Sequence, residues 1–435
     1  QRRSGSGSEM RGDGRHILLV LLDGAADRPA SELDGKTPLE AAETPALDRL
    51  VAAGISGVTD IGPPGMPMPS DRAHGRLFGY DPDAIPRRGV LEARGLGIEV
   101  SETDVTCSAS FARLGSSAHP SGAITDRSLS GSREQCRNDA EAIGAFETDS
   151  VSVSFEYTWK NRGILTLESE APLDPGVTDT DPFESGLPVV RPEPTANADN
   201  SDAAARTADA LAAYTRWSVE QLSDAASDIV LSKWAGMPTQ PEPFAERHGM
   251  EAVSLTPKPV LAGLTDTLGM DVIDPPEGYD ERAAVVRETL DTAKFVHAHY
   301  PEPDEVAHAG TPLEKKRELE AIDRSLSGVV KAALDRDLVT IVTADHTTPS
   351  AGNVVHSGEA VPVTIAAPTA RTDDVTSTGE RNAVAGGIGR IDGIDVLRIA
   401  RSLGDRVLLD GLRRTPSGGT VPTTDVCPLL EEDQS

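Results

Sequence analysis

Short apolar runs that end at polar side chains occur near both ends of this 435-residue chain. The run Ile17–Leu22 ends at Asp23, and the run 338–344 ends at Asp345 and His346. Continuous apolar runs of this length are typical of strands that are buried in a parallel sheet. Because α/β proteins carry their chemistry at the carboxyl ends of such strands, these three polar residues are candidates for a functional site.

A third strand-like run, residues 294–299, leads through two prolines to Asp304 and His308. A carboxylate and an imidazole four residues apart share one face of a helix. His356 follows ten residues after His346 and adds another imidazole. The pattern therefore predicts that metal-binding side chains from distant parts of the chain meet at one edge of a sheet.

Ser70 lies in the segment Pro-Met-Pro-Ser70, in which the prolines favour an extended approach to the serine. Its hydroxyl can cap a helix that runs to Phe78, which is the commonest role of a serine before an aspartate. The start of a helix also favours a bound phosphate. Ser70 is therefore a candidate nucleophile as well as a candidate helix cap.

Three carboxylates and three imidazoles suit two divalent ions, and there is no thiolate cluster to compete with them. Mn²⁺ is expected first, with Mg²⁺, Co²⁺ and Zn²⁺ as alternatives. Taken singly, each cluster also has a structural reading, because an aspartate after a strand is most often a loop or cap residue. The joint occurrence of the clusters predicts a dinuclear site. Its candidate ligands are Asp23, Ser70, Asp304, His308, Asp345, His346 and His356.

Strand and helix patterns alternate over residues 15–100 and 242–412, which predicts one split α/β domain with a mostly parallel sheet sandwiched by helices. Residues 101–241 differ, because alternating strand patterns precede a Pro- and Asp-rich loop and a helix. They predict an inserted α+β cap domain. The polar segment 1–14 is expected to be disordered and the tail 413–435 to be flexible.

The chain is strongly acidic, with a formal charge of −29, which argues against nucleic acid or an anionic membrane as a partner. Only eight of its 41 basic residues are Lys. An acidic, Lys-poor composition indicates a halophilic protein from a salt-rich cytosol, in which dissolved salt screens the repulsion between acidic side chains. The alternative is an ordinary acidic protein. Three scattered Cys and no apolar run of membrane-spanning length favour a cytoplasmic enzyme.

Longer strings along the chain resemble the archaeal-type, cofactor-independent phosphoglycerate mutases, a branch of the alkaline phosphatase superfamily. The resemblance spans roughly residues 15 to 405. The strings are Leu-Asp23-Gly-Ala-Ala-Asp-Arg-Pro, Gly35-Lys-Thr-Pro-Leu-Glu-Ala-Ala, Ser70-Asp-Arg-Ala-His74, Arg88-Gly-Val-Leu-Glu-Ala, Asp304-Glu-Val-Ala-His308, Ala-Asp345-His-Thr-Thr-Pro and His356-Ser-Gly-Glu-Ala-Val-Pro.

The resemblance implies an alkaline-phosphatase-like fold, with residues 101–241 placed over the metal site, and an enzyme that interconverts 3-phosphoglycerate and 2-phosphoglycerate. It implies that Ser70 takes the phosphoryl group from one hydroxyl of the substrate and returns it to the other. The implied ligands are Asp304, His308 and His356 for one ion, and Asp23, Ser70, Asp345 and His346 for the other.

The implied substrate pocket departs from the family pattern. Ser108 and Ala109 stand in a strand where the family has an Arg-rich string, and Ala262 stands where it usually has Lys. Lys233-Trp-Ala-Gly stands where the family has Arg followed by Gly-Ala-Gly. The change from Arg to Lys removes a guanidinium that can bind a carboxylate or phosphate through two N–H groups. The alternative function is therefore a metal-dependent phosphomonoesterase or phosphotransferase with another phosphorylated substrate. A catalytically silent binding paralogue is a third hypothesis.

Candidate substrate contacts follow the nucleophile or match shared strings in the middle of the chain. Each of them has a structural alternative, since a charged side chain can simply form a salt bridge or solvate a helix. The candidates are Arg72, His74, Arg88, Arg162 and Lys233.

Overall fold

The computed structural model describes residues 14–115, 122–127, 129, 133–223, 225–352 and 354–412. The sequence predictions for the terminal segments 1–13 and 413–435 lie outside these residues. The chain forms two compact units. The first unit comprises the described parts of 1–82, 242–257 and 268–435, and the second comprises those of 83–241 and 258–267.

The described residues contain strands and helices throughout. The strands are β1 Ile17–Leu22, β2 Gly54–Asp60, β3 Val105–Leu114, β4 Ile124–Asp126, β5 Phe146–Glu147, β6 Ser152–Tyr157, β7 Arg162–Glu168, β8 Ile229–Gly236, β9 Ala252–Leu255, β10 Asp271–Ile273, β11 Phe295–Tyr300, β12 Val339–Thr343, β13 Val361–Ala366 and β14 Gly389–Asp392. The helices are α1 Pro38–Ala41, α2 Pro45–Ala52, α3 Ser70–Leu77, α4 Arg88–Gly95, α5 Arg133–Ile143, α6 Ser201–Gln221, α7 Phe244–His248, α8 Pro259–Thr267, α9 Tyr279–Thr289, α10 Glu302–Ala309, α11 Pro312–Asp335, α12 Glu380–Val384 and α13 Gly393–Leu403. Short 3-10 helices cover Ser31–Leu33 and Pro82–Ala84.

An eight-stranded sheet forms the centre of the first unit, in the order β10-β9-β11-β1-β12-β13-β2-β14. Only β13 runs antiparallel to its neighbours, and the remaining pairs are parallel. Every residue of β1 and β11 is buried, as expected for central strands whose two faces are both covered. The predicted α/β fold with a mostly parallel sheet is confirmed.

Two groups of helices cover this sheet. One group is centred on α11, which packs against α1, α2, α9 and α10, and the other pairs α3 with α13. The long helix α11 begins at a capping box, in which Thr311 accepts a hydrogen bond from the Glu314 amide and the Glu314 carboxylate accepts one from the Thr311 amide. Its apolar face, which includes Leu319, Ile322 and Leu326, is fully buried.

The second unit is built on an antiparallel sheet in the order β4-β3-β7-β6-β5, and β8 also pairs with β3. Helix α6 contacts β8, and its Leu211 and Tyr214 are buried in one core with Phe111 and Leu165 of the sheet. Helices α4 and α8 pack closely within this unit, because Gly95 and Gly263 leave room where the helices meet. This unit combines an antiparallel sheet with packed helices, which is the α+β arrangement that the sequence predicts for the middle of the chain.

Candidate metal centre

Six of the seven candidate ligands follow the carboxyl ends of three neighbouring parallel strands, and Ser70 begins helix α3. Strands β11 and β12 pair with the two sides of β1, with Tyr300 opposite Leu22 and Thr343 opposite Leu21. The segments that follow these strands therefore begin side by side. They carry Asp23 after β1, Asp345 and His346 after β12, and helix α10 after β11.

Asp304, His308 and His356 form one group of side chains that can hold a metal ion. Within helix α10, His308 Nε2 lies 3.2 Å from Asp304 Oδ1, as the four-residue spacing predicts. His356 Nε2, from the loop between β12 and β13, lies 3.5 Å from the same oxygen. Two imidazole nitrogens and a carboxylate oxygen thus converge on one point.

A second group surrounds the imidazole of His346. Its Nε2 lies 3.1 Å from Ser70 Oγ, 3.2 Å from Asp345 Oδ2 and 3.4 Å from Asp23 Oδ1. Asp304 also lies within reach of Asp23 and His346 in a metal-sized group, although the family resemblance assigns it to the other ion. All seven candidate ligands are therefore brought together, and their assignment to particular ions stays a prediction.

Ser70 is the first residue of helix α3 rather than its N-cap. Pro69 occupies the N-cap position, and no side chain caps this helix. The expectation that the Ser70 hydroxyl caps the helix is therefore wrong, because the hydroxyl instead lies against His346. This arrangement leaves the oxygen at the edge of the ligand cluster and at the amino end of a helix, where a phosphate group is favoured.

Burial and mutual contacts set the protonation of these ligands. Burial lowers the pKa of His346 to about 3 and raises the pKa of Asp345. For Asp304, the effect of burial is outweighed by hydrogen bonds with His308 and His356, which lower the pKa of its carboxyl. The same contact with Asp304 outweighs burial at His356 and raises the pKa of that imidazole.

These residues fit bound divalent ions. Asp345 Oδ2 is buried and accepts no hydrogen bond from the residues that the structure describes. A buried carboxylate oxygen without a donor is costly unless a cation compensates it. Imidazole binds metals in its neutral form, which a lowered pKa maintains at His346. The donors are oxygen and nitrogen only, as Mn²⁺, Mg²⁺ and Zn²⁺ prefer.

Buried polar side chains that contact the ligands, among them His299 and Thr256, were not predicted from the sequence. His299 Nε2 lies 3.0 Å from Asp23 Oδ2, and its Nδ1 lies 2.9 Å from Thr256 Oγ1. Since a carboxylate only accepts, His299 donates from Nε2 and Thr256 donates to Nδ1. The signal was present in the sequence, because His297 and His299 alternate in β11 and so point to the same face of the sheet.

Two of the predicted substrate contacts, Arg72 and His74, are buried in the first unit. Arg72 donates to the Pro82 carbonyl and lies 3.5 Å from Asp71. His74 is fully buried and lies against the rings of His297 and His299, where its Nδ1 donates to the Ser70 carbonyl at 2.8 Å. These positions favour structural roles, and the substrate contacts stay predictions.

The other three predicted contacts are neighbours within the second unit. The Arg88 guanidinium lies 4.5 Å from the ring centre of Trp234, and Lys233 Nζ lies 4.9 Å from it. Arg88 also pairs with Glu92 at 2.8 Å, and the charges of Arg88 and Arg162 lower the pKa of Glu92 against the effect of burial. We call Arg88, Arg127, Arg162, Lys233 and Trp234 the cationic cluster.

Arg127 is a member of this cluster that the sequence did not indicate. It forms a bidentate pair with Asp181, with nitrogen to oxygen distances of 2.8 and 2.6 Å, and Lys233 Nζ contacts the same carboxylate at 3.1 Å. Across the β3–β8 ladder, Ser108 lies opposite Lys233 and its hydroxyl donates to Glu92. Ala109 is buried in the core of the unit. Of these two replaced positions, Ser108 therefore lies next to the cationic cluster, whereas Ala109 faces the apolar core.

The chain is similar to known proteins over most of its length. The profile of the metalloenzyme superfamily matches residues 15–401. The chain is 34% identical to a 2,3-bisphosphoglycerate-independent phosphoglycerate mutase of Methanopyrus kandleri, over 90% of this chain and 97% of that protein. It is 35% identical to the Methanosphaera stadtmanae protein of the same name, over 89% of this chain and 97% of that protein.

A solved structure of a cofactor-independent phosphoglycerate mutase from Thermoplasma acidophilum is also similar, with a TM-score of 0.62 and 27% identity over 90% of this chain and all of that one. A Pyrococcus horikoshii protein of solved structure matches with a TM-score of 0.74 and 28% identity over 92% of this chain and all of that one. The chain belongs to the metalloenzyme superfamily and, within it, to the 2,3-bisphosphoglycerate-independent phosphoglycerate mutases.

Proposed function

We propose that this protein is a phosphoglycerate mutase, an isomerase that interconverts 3-phosphoglycerate and 2-phosphoglycerate through a phosphorylated Ser70. The observation that carries the proposal is the position of the Ser70 hydroxyl, 3.1 Å from His346 Nε2 within a cluster of seven potential ligands. Membership in a family whose relatives carry the mutase name supports the same reaction.

In this reaction, Ser70 Oγ forms a bond to phosphorus while the bond from phosphorus to one glycerate oxygen breaks and that oxygen gains a proton. The other hydroxyl of the same glycerate then attacks the phosphorus of the phosphoserine and loses its proton, while the bond from phosphorus to Ser70 Oγ breaks and Ser70 recovers its proton. Divalent ions, when bound, would lower the pKa of the Ser70 hydroxyl and offset the negative charge on the phosphoryl group during its transfer. The amide groups at the start of α3 favour the phosphate at this position.

Substrate recognition belongs to the same proposal. Arg88, Arg162 and Lys233 supply positive charge for the phosphate or carboxylate of phosphoglycerate, and Arg127 adds a bidentate donor beside them. Their shared neighbourhood around Trp234 and Glu92 supports a joint role. Arg72 and His74 remain candidates near the nucleophile. The split domain, with residues 101–241 as its cap, is part of this proposal.

The ion, the compartment and the working conditions are inferred from composition and chemistry. Mn²⁺ suits a site of mixed carboxylate and imidazole ligands, and Mg²⁺, Co²⁺ and Zn²⁺ are the alternatives to test. The charge of −29 supports a cytoplasm rich in salt and argues against nucleic acid as a partner. In the described residues, no helix has the length and apolarity needed to cross a membrane.

One assay tests the proposal. The protein, loaded with each divalent ion in turn at high salt, is incubated with 3-phosphoglycerate while 2-phosphoglycerate and free phosphate are both measured. We expect 2-phosphoglycerate to form without stoichiometric phosphate release, chelation to abolish turnover, and the ion to restore it. Phosphate without 2-phosphoglycerate indicates a phosphomonoesterase instead, and an active chelated protein contradicts the metal requirement.

A further inference from the structure

Thr348 lies behind the metal ligands, and its side chain contacts one ligand from each candidate group. Its Oγ1 lies 2.9 Å from His346 Nδ1 and donates to Asp304 Oδ1 at 2.8 Å. The residue is fully buried in the segment that follows β12. No feature of the sequence separates it from its neighbour Thr347, because only the folded chain brings the two ligands to its hydroxyl.

The single hydrogen of the Thr348 hydroxyl decides which nitrogen of His346 carries a proton. Since the Asp304 carboxylate can only accept, the hydroxyl hydrogen points to Asp304 Oδ1. The Thr348 oxygen must then accept from His346 Nδ1, which therefore carries the ring proton. A neutral imidazole with a proton on Nδ1 presents a lone pair at Nε2, the nitrogen that faces Ser70.

The surroundings of Nε2 alone favour the opposite tautomer. Asp345 Oδ2 and Asp23 Oδ1 lie 3.2 and 3.4 Å from this nitrogen, and their negative charge favours a proton on it. A proton there would block the position that a metal ion needs. The contact with Thr348 opposes this outcome by offering a good acceptor at Nδ1 only.

The backbone around Thr348 keeps the hydroxyl in place. The Thr348 amide donates to the Ala26 carbonyl at 3.0 Å, and the buried Lys315 ammonium donates to the Thr348 carbonyl at 2.8 Å. Gly24, with a φ of +58°, leaves room for the hydroxyl, because a Cβ there would lie 2.5 Å from Thr348 Oγ1 and 2.9 Å from Asp304. The backbone of Thr348 is thus held by hydrogen bonds that involve no metal-ligand side chain.

We propose that Thr348 is a positioning residue that holds His346 in its metal-binding tautomer and orients Asp304 at the same time. The proposal rests on the dinuclear site of the proposed function, but not on the identity of the substrate. Loss of this hydroxyl weakens the binding of both metal ions. Loss of a ligand that belongs to one of the two ligand groups weakens mainly the binding of the ion in that group. Mutation of a residue that hydrogen-bonds to a metal ligand typically lowers the metal affinity by about 10- to 100-fold.

Thr348→Val removes the hydroxyl at nearly constant shape, and Thr348→Ser restores it. Thr340→Val is the matched control, because Thr340 is a buried threonine of β12 whose hydroxyl has no hydrogen-bond partner among the described residues. In the chelated full chain with ¹⁵N-labelled histidine rings, NMR reports the tautomer of each ring. The His346 signal is assigned by its loss in His346→Gln.

We expect His346 to carry its proton on Nδ1 in the parent protein, in Thr348→Ser and in Thr340→Val, and on Nε2 in Thr348→Val. Calorimetric titration with Mn²⁺ should show both affinities reduced about 10-fold or more in Thr348→Val only. An unchanged tautomer or unchanged affinities in Thr348→Val overturn the proposal. Because neither readout uses phosphoglycerate, a failed mutase assay leaves this test interpretable.

Discussion

The metal centre of the first unit and the cationic cluster of the second unit are held in place in different ways. Six of the seven ligands follow the parallel strands β1, β11 and β12, and none of the seven has a positive φ. In the second unit, Trp234 and Phe183 have φ values of 56° and 62°, and their rings lie 5.7 Å apart. Lys233 lies over both rings, and Arg127 over that of Phe183.

This difference indicates how each site responds to substitution. Sheet topology fixes the starting points of most ligand segments, so the ligand geometry depends on strands β1, β11 and β12, of which β1 and β11 are buried throughout. A non-glycine residue in the left-handed region costs roughly 1–3 kcal/mol and persists only where its surroundings hold it. The cluster in the second unit therefore depends on local side-chain contacts, and it can change while the metal ligands stay the same.

The largest effect is expected at Ser70. Ser70→Ala should lower mutase turnover by about 1,000-fold or more, because it removes the proposed nucleophile. The fold should be retained, since the hydroxyl caps no helix and its contact with His346 is a single hydrogen bond. Turnover is measured with 3-phosphoglycerate, and bound metal is measured by elemental analysis.

The control for this substitution is Ser402→Ala, at an exposed position of helix α13, which should leave turnover unchanged. Turnover of Ser70→Ala within tenfold of the parent protein contradicts a covalent intermediate on Ser70. Loss of the fold, visible in the circular dichroism spectrum, would show instead that the serine has a structural role.

The sequence predicted the metal centre more fully than the rest of the protein. Apolar runs end where a strand ends, so β1 and β12 could be located to within a residue, and the spacing of Asp304 and His308 indicated a shared helical face. Thr348 and Arg127 could not be identified, because each acts through a partner that is distant in sequence, whereas the alternation of histidines in β11 could have indicated His299. The sequence shows that Trp234 replaces a Gly of the family pattern, but it does not show that the Trp234 backbone is left-handed.

A second prediction separates the two units by their response to acid. Burial lowers the pKa of His248 to about 3 and that of His297 well below 6.5, so these groups are neutral in the folded first unit. The unfolded chain binds their protons below pH 6.5, and the free energy of unfolding falls by up to about 1.4 kcal/mol per pH unit for each histidine. In the second unit, Glu92 and Asp181 have lowered pKa values, so their contribution is lost only below about pH 4.5.

The first unit should therefore begin to lose stability at a higher pH than the second unit. All three Trp of the chain, Trp159, Trp217 and Trp234, lie in the second unit, so their fluorescence reports on it alone. Circular dichroism reports on both units. At constant high salt, we expect the dichroism to change at a higher pH than the fluorescence, and coincident transitions contradict separate acid responses.

The smallest effect is expected at Trp234, where the substitution to Gly supplies the residue that the family pattern has at this position. Gly tolerates the left-handed φ of 56° without strain, so relief of strain should partly offset the lost packing. The ring contacts of Arg88 and Lys233 are lost, however. At about 0.5–1 kcal/mol for each cation, their loss should raise the KM for phosphoglycerate roughly 5- to 30-fold.

Trp159→Gly is the matched control, because Lys160 lies 4.2 Å from the ring centre of Trp159 and this indole is half exposed outside the cationic cluster. The control should leave KM unchanged, and kcat should change little in either variant, since neither residue is the proposed nucleophile or a candidate metal ligand. If Trp234→Gly lowers KM instead, the indole obstructs the cations rather than holding them. The departure from the family pattern would then weaken phosphoglycerate binding and favour another phosphorylated substrate.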